Sequence, residues 1–349
     1  MNFKKLGALV LAISLTMTSF VGCSKKDDTQ PVESSSQVSE ESSNTEESSS
    51  KTIEKETVNV AVMKGPTGMG MVSLMNKAEE GTSEGKYEIT LESTPDAIVG
   101  KLADGSLDAA AIPANLASVI FNKTKGKIAV SAINTLGVLY VVESGDTIHS
   151  LEDLKGKTIY STGKGTTPEF AFRHVLKLAG IDADNDLTLE YKSEASEVAA
   201  LLAQDKSAIA LLPQPFVTVA QTKNSDLRIA LSLSEEWEKL DSNSNLITGV
   251  MVVRKDFYEN NREAYDLFIK EYEESIKFIN ENIEEGAKLT AKYEIAPEPV
   301  AKKAIPLCNI VFINGEEMEN KLNGYLNALF EQEPKSVGGT LPDETFFIK

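Results

Sequence analysis

Cysteine is almost missing from this chain: Cys23 and Cys308 are the only two in 349 residues. A disulfide framework is therefore excluded. Cys308 lies in the apolar run Ile305-Pro306-Leu307-Cys308-Asn309-Ile310, which reads as a buried, inert thiol rather than a nucleophile. Histidine is equally scarce. His149 and His174 have no cysteine, histidine or carboxylate at metal-ligand spacing, so no metal is expected. The run Asp182-Ala183-Asp184-Asn185-Asp186 lacks the glycine and distal glutamate of a calcium loop and reads as a polar connection between helix and strand. Basic clusters are absent as well. With 35 Lys and Arg against 53 Asp and Glu the formal charge is -18, and so acidic a chain repels nucleic-acid phosphates and anionic lipid head groups. Neither is expected as a partner. No stretch completes a nucleotide fingerprint: Gly65-Pro66-Thr67-Gly68-Met69-Gly70 has the wrong glycine spacing, and Gly163-Lys164-Gly165-Thr166-Thr167 is not a full phosphate loop. No cofactor is expected, and no catalytic Ser, His and Asp set is nominated, because such groups meet in space rather than along the chain.

What is present begins with a leader. Met1 to Gly22 carries Lys4 and Lys5 and then an apolar core from Leu6 to about Thr16, too short for a spanning helix and typical of a cleaved secretory signal. Phe20-Val21-Gly22-Cys23 resembles the bacterial lipobox, in which the cysteine thiol takes diacylglycerol and becomes the new amino terminus. That resemblance implies lipid on Cys23 and a place on the extracytoplasmic side of a bacterial cell membrane. Ser24 to Thr57 is rich in Ser, Glu and Lys, has no aromatic residue and shows no periodicity, so it cannot offset its ordering entropy by burial. It is expected to be a tether, holding the folded part on the order of 30 Å from its anchor.

The folded part repeats itself. Val58-Asn59-Val60-Ala61-Val62-Met63 is a buried strand that turns at Lys64-Gly65-Pro66-Thr67-Gly68 into a helical pattern; Lys157-Thr158-Ile159-Tyr160 turns at Ser161 to Thr167 into a helix opened by Pro168. Beyond each turn the same order follows at an offset of 100 residues: strands Tyr87 to Ser93 and Leu187 to Ser193, helices Asp96 to Ala103 and Glu197 to Ala203, then apolar strands ending at Pro113 and Pro213. Two α/β lobes are expected, with polar turns at the carboxyl ends of their strands, where open α/β sheets bind ligands. Val138 to Val142 and Gly249 to Val253 are the expected crossings between them, and two extended crossings make a hinge. The expected division is a signal at 1–22, a lipidated cysteine and tether at 23–57, lobe one at 58–141 and 250–349, and lobe two at 142–249. The second part of lobe one is mostly helical, because Tyr265, Phe268, Ile269, Tyr272, Ile276, Ile279 and Ile283 keep the three-and-four spacing of a core-facing helix.

Lys155-Gly156-Lys157, Gly163 to Pro168, Pro213-Gln214-Pro215, Val250 to Arg254 and the long helical tail, in that order, resemble the solute-binding proteins of ABC importers. The nearest branch is the nitrate, sulfonate, taurine and thiamine-precursor type, and the likeness runs from Val58 to Lys349. It implies a type II periplasmic-binding fold, a permease and an ATPase as partners, and a small polar or anionic organic solute, such as a sulfonate, taurine, nitrate or pyrimidine, held by a monomer. The candidate ligand residues are the two turns, Lys64, Gly65, Pro66, Thr67 and Gly68 with Gly163, Lys164, Gly165, Thr166 and Thr167, because helix starts rich in N–H groups favour a negative group. Asn115, Asn134, Thr135, Gln214 and Thr248 stand at other strand ends. An enzyme on the same scaffold remains open, as does a sensing lipoprotein without a permease; the enzyme would need an acid, base or nucleophile in the cleft.

Overall fold

The computed structural model describes residues 56–242 and 244–348, so the expected signal and all but the end of the tether lie outside the described residues. Its strands are β1 (Thr57–Met63), β2 (Lys86–Glu92), β3 (Ala109–Pro113), β4 (Ile128–Leu136), β5 (Leu139–Glu143), β6 (Thr158–Ser161), β7 (Thr188–Tyr191), β8 (Ile209–Pro213), β9 (Arg228–Ser232), β10 (Ile247–Arg254) and β11 (Ile310–Ile313). They form two sheets, ordered β11-β4-β10-β3-β1-β2 and β7-β6-β8-β5-β9. Sequence dictates the places. The all-apolar runs of β3 and β8 suit central strands covered on both faces, while β2, with Lys86, Glu88 and Glu92, and β7, with Thr188 and Glu190, keep a polar face and take edges.

The repeat seen in the sequence is a repeat of architecture. β1 pairs in parallel with β2 and β3, and β6 pairs in parallel with β7 and β8. Between the equivalent strands lie the equivalent helices Pro95–Asp104 and Ala195–Gln204. The next place in each sheet is filled by exchange: β10 lies antiparallel to β3, and β5 lies antiparallel to β8. Since β5 directly follows β4 of the first sheet and β10 follows β9 of the second, each lobe completes its sheet with a strand delivered from the other. The crossing therefore falls at Gly137 and Val138, and Leu139 to Val141 belong to the second sheet rather than to lobe one. The return likewise precedes Ile247, a little before the expected division. The crossings touch. A Cβ on Gly137 would stand 2.1 Å from Ser234 Oγ and 2.7 Å from Leu246, so only glycine lets these segments lie together.

Several expected elements move for identifiable reasons. The helix after β1 breaks at Gly70 and Met71 into Pro66–Met69 and Val72–Glu79. Asn134 and Thr135, expected at a strand end, lie within β4, because Thr135 pairs with Gly249 on one side and Ile310 on the other. Between β9 and β10 lies the helix Leu233–Leu240, which buries Leu233 and Trp237 one turn apart. The long amphipathic run is two helices, Arg262–Glu281 and Ile283–Lys292, with Asn282 between them. Its expected apolar face is the core face: Tyr265, Phe268, Tyr272, Ile276 and Ile279 are buried, with Ile269 and Ile283 packed against them.

The helix Gly315–Gln332 ties the lobes. It packs on β4 and on the helix Thr167–Leu178 of lobe two, and a continuous apolar core runs from Ile133 and Val250 through Tyr325 and Leu326 to Ile159 and Leu211. In that core His174 lies 4.4 Å from the Trp237 ring, centroid to centroid, with both ring nitrogens buried and unpartnered. Burial holds the imidazole below its ordinary pKa of 6.5, outweighing Asp241 and Glu331, which act the other way, while Lys177 adds to the lowering. The unfolded chain then takes up the proton first, so stability is complete above pH 6.5 and falls as pH drops below it. Uptake of this one proton by the unfolded chain can tilt stability by at most about 1.4 kcal/mol per pH unit. His174→Leu should flatten the urea midpoint between pH 6.5 and 5.0, where wild type declines; an unchanged slope would contradict this placement of the ring.

Buried carboxylates also brace each lobe. Glu143 accepts from Thr147 and Ile148 backbone N–H groups, from the Thr147 hydroxyl and from Arg228. Glu271 accepts from Glu84 N, Gly85 N and the Tyr87 hydroxyl. Burial pushes both carboxyls up, but these bonds outweigh it and hold them below the usual carboxylate range.

Candidate functional site

The strands of both sheets run into one cavity of about 440 Å³. Lobe one contributes Pro113 and Asn115 after β3, with Leu116, and Thr248 from β10; lobe two contributes Thr166, Thr167 and Pro168 at a helix start. Pro95, Val138, Leu139 and Pro213 complete the wall. Other surface hollows among the described residues, of about 310, 420, 390 and 240 Å³, each draw on one lobe only. This one takes walls from both, at the carboxyl ends of the strands, as the expected ligand position requires.

The lobes touch at the edge of this cavity. Thr167 Oγ1 donates to Asn115 Oδ1 at 3.1 Å, and Asn115 Nδ2 donates to the Ser336 carbonyl at 3.1 Å, so one amide links lobe two, lobe one and the carboxyl-terminal segment. The helix Ala114–Thr124 has Pro113 at its cap, so Asn115 falls in the first turn and its side chain reaches the cleft's edge, where Thr167 and Ser336 engage it. Behind Thr167 stands Tyr325; burial pushes its hydroxyl up, with the neighbouring Thr167 acting the other way.

The first turn, Lys64 to Gly68, takes a supporting position. Gly65 has φ of 116°, which glycine adopts without strain, and Pro66 opens the short helix. Thr67 is buried, its hydroxyl donating to the Met63 carbonyl at 2.9 Å. Gly68 is held close: a Cβ there would stand 2.8 Å from Met63 O. Lys64 is exposed, and its backbone N–H donates to Glu92 O. Thr67 meets Asn134 and Thr135 around Gly249, next to the wall residue Thr248. Thr135 Oγ1 donates to Asn134 Oδ1 at 2.9 Å.

In the second turn Gly163 and Gly165 have φ of 74° and 72°. Thr166 stands at the N-cap position of the following helix, and its hydroxyl donates back to Gly163 O at 2.6 Å. Lys164 turns to a separate hollow beside Glu169, Arg173 and Tyr191, its amine 5.9 Å from the Tyr191 ring. Gln214 is buried behind Pro213, and its Oε1 accepts from Thr218 Oγ1 at 2.9 Å. Of the candidate residues, then, Asn115, Thr166, Thr167 and Thr248 meet at the cavity; Thr67, Asn134 and Thr135 brace it, and the two lysines point elsewhere. The apolar wall residues carried no polar signal in the sequence, although Pro113 and Pro213 sit at matching places in the repeat.

Cys308 is buried beside Met69, and burial pushes its thiol up to about 12, as suits an inert core residue. Asp182 closes its own turn by accepting from Asp184 N and Asn185, and Asp184 pairs with Arg173.

Comparison with known proteins agrees with this architecture. A family model described as ABC transporter, phosphonate, periplasmic substrate-binding protein matches residues 73–297. No curated protein sequence matches the chain. Among solved structures, an ABC transporter from Parabacteroides distasonis superposes with a TM-score of 0.70 at 24% identity, covering 84% of this chain and 99% of that one. The periplasmic aliphatic sulphonate binding protein SsuA from Escherichia coli gives 0.67 at 16% identity, covering 84% and 92%. The periplasmic nitrate-binding protein NrtA from Synechocystis PCC 6803 gives 0.51 at 15%, covering 71% and 69%. At such identities these likenesses show the two-lobed α/β fold. The family model spans well over half of the sequence, and the chain belongs to the periplasmic substrate-binding family of phosphonate ABC transporters, the solute-binding components of importers.

Proposed function

We propose that this protein captures a small polar organic solute in the cavity between its lobes, closes over it about the paired crossings, and delivers it to a membrane permease driven by an ATPase. Lipid on Cys23 anchors it at the extracytoplasmic face, the Ser- and Glu-rich tether gives it reach, and it acts as a monomer. Asn115, Thr166, Thr167 and Thr248 hold the solute, while Thr67, Asn134 and Thr135 brace them. One observation carries this reading: the cavity takes its walls from both sheets, and Asn115 and Thr167 already meet across it. The exchanged strands support a hinge, because rotation need only bend the short segments at Gly137 and before Ile247.

Transport rather than catalysis fits the wall chemistry. None of the described lining residues is a carboxylate, histidine, cysteine or lysine, so no general base stands among them to activate a threonine hydroxyl. Asn115→Ala and Thr167→Val should each weaken solute binding roughly three- to ten-fold in calorimetric titration, the worth of one hydrogen bond. Lys164→Ala should leave affinity unchanged. A loss confined to Lys164→Ala would place the site in the outer hollow and refute the cleft.

A further inference from the structure

Tyr325 carries a hydroxyl that the fold leaves idle. The side chain is fully buried in the core that joins the lobes, its ring centroid 6.0 Å from that of Trp237, and its hydroxyl has no hydrogen-bond partner among the described residues. An unpaired buried hydroxyl is costly, and a phenylalanine would fill the same space without that cost. The polar side chain that acts on this hydroxyl is Thr167, which stands on the cavity wall.

We infer that Tyr325 is a positioning residue for solute capture: its hydroxyl donates to Thr167 Oγ1 in the bound state and so aims the Thr167 hydroxyl at an oxygen of the solute. This rests on the reading of the cleft as the binding site.

The hydrogen bonds at the cleft edge supply the reason. Thr167 Oγ1 donates to Asn115 Oδ1 at 3.1 Å. A hydroxyl has one hydrogen to give and two lone pairs, so Thr167 serves a single acceptor while its oxygen remains open to a donor. A solute oxygen at the wall competes with Asn115 Oδ1 for that hydrogen. An oxygen of a phosphonate or sulfonate, being charged, is the stronger acceptor. As the Thr167 hydroxyl turns from Asn115 to the solute, a lone pair comes round to Tyr325. Tyr325 O–H, Thr167 O–H and the solute oxygen then form a row in which each bond polarises the next.

The element behind this row is continuous. Tyr325 stands on the helix Gly315–Gln332, which packs on the Thr167–Leu178 helix, and Ser336 and Val337 follow it. The Ser336 carbonyl accepts from Asn115 Nδ2 at 3.1 Å, and the Val337 carbonyl accepts from Ser118 Oγ at 2.7 Å and Asn122 Nδ2 at 3.1 Å. Tyr325 is therefore held from lobe one while it faces a wall residue of lobe two. Its bond to Thr167 adds a tie between the lobes that belongs to the bound state, and a ligand shifts the lobes only by what is gained in one arrangement over the other.

The test uses the full chain, with methyl-, propyl- and phenylphosphonate and the three matching sulfonates as probes in calorimetric titration, and urea unfolding alongside. Tyr325→Phe should weaken the tightest probe about three- to ten-fold, the worth of one hydrogen bond. Its urea midpoint should stay at or above that of wild type, because the hydroxyl removed has no partner in the fold; a merely structural role would lower it. In a Thr167→Val background Tyr325→Phe should weaken binding no further, whereas in Thr167→Ser, which keeps the hydroxyl, the loss should match that in wild type. Unchanged affinity in Tyr325→Phe, an equal loss in the Thr167→Val background, or a lowered urea midpoint would each overturn the inference and leave the cleft reading standing. If no probe binds wild type, the proposed function itself falls, and the inference with it.

Discussion

Trp237→Ala is expected to lower the unfolding free energy by about 3–5 kcal/mol, the loss typical of removing a buried aromatic side chain. Trp237 is fully buried and stands between His174 and Tyr325, with ring centroids 4.4 and 6.0 Å away. Its indole N–H donates to Ser244 Oγ at 2.8 Å, in the segment that leads back to the first sheet. One side chain therefore fills the joint between the Leu233–Leu240 helix, the Thr167–Leu178 helix and the Gly315–Gln332 helix. Trp237→Phe keeps most of the volume and should lose only about 1 kcal/mol, the worth of the hydrogen bond. Urea unfolding of both variants checks the pair of values; an alanine variant as stable as wild type would mean that this joint does not hold the lobes.

Gly249→Val is expected to destabilise by about 3 kcal/mol and to abolish solute binding even where the variant still folds. A Cβ at this position would stand 2.5 Å from both Asn134 Oδ1 and Thr67 Cγ2, and 3.4 Å from Thr135 Cβ. All three neighbours are buried, and β10 lies between β3 and β4, so neither strand has room to yield. Thr248 beside it lines the cavity, so any shift of β10 displaces the wall. Gly249→Ala should give the same effect in weaker form. Thermal unfolding measures the first effect and titration of the folded fraction the second; normal binding by the valine variant would show that Thr67, Asn134 and Thr135 do not brace the site.

Much of the architecture was legible because hydrophobic pattern and turn chemistry repeat. The apolar strands ending at Pro113 and Pro213 and the glycine turns before Pro66 and Pro168 recur in the same order, and the second lobe copies the strand pairing of the first. The exchange of β5 and β10 was legible only as two extended crossings. Which sheet accepts Leu139–Glu143 depends on pairing with β8 and β9, a long-range register that no local pattern encodes. Asn134 and Thr135 misled for the same reason: polar residues read as the end of a strand until a partner strand extends it. The Leu233–Leu240 helix carried a spacing signal in Leu233 and Trp237, diluted by Glu235, Glu236 and Lys239.

The site shows a different limit. The structure gathers Asn115, Thr166, Thr167 and Thr248 at one cavity, whereas Lys164 extends toward the Tyr191 ring, a direction that no local pattern carries. The helix start at Thr167 suggested an anion site because its dipole is local and visible in sequence. Glu169, four residues after Gly165, occupies that end, and this became apparent only with the side-chain geometry.

Hydrogen exchange with and without a bound solute tests the central claim most directly. With a solute bound, new protection is expected at residues 113–116, 137–139, 166–168 and 247–249, on both lobes together. Protection confined to the outer hollow around residues 183–191, or to one lobe alone, would contradict capture between the lobes.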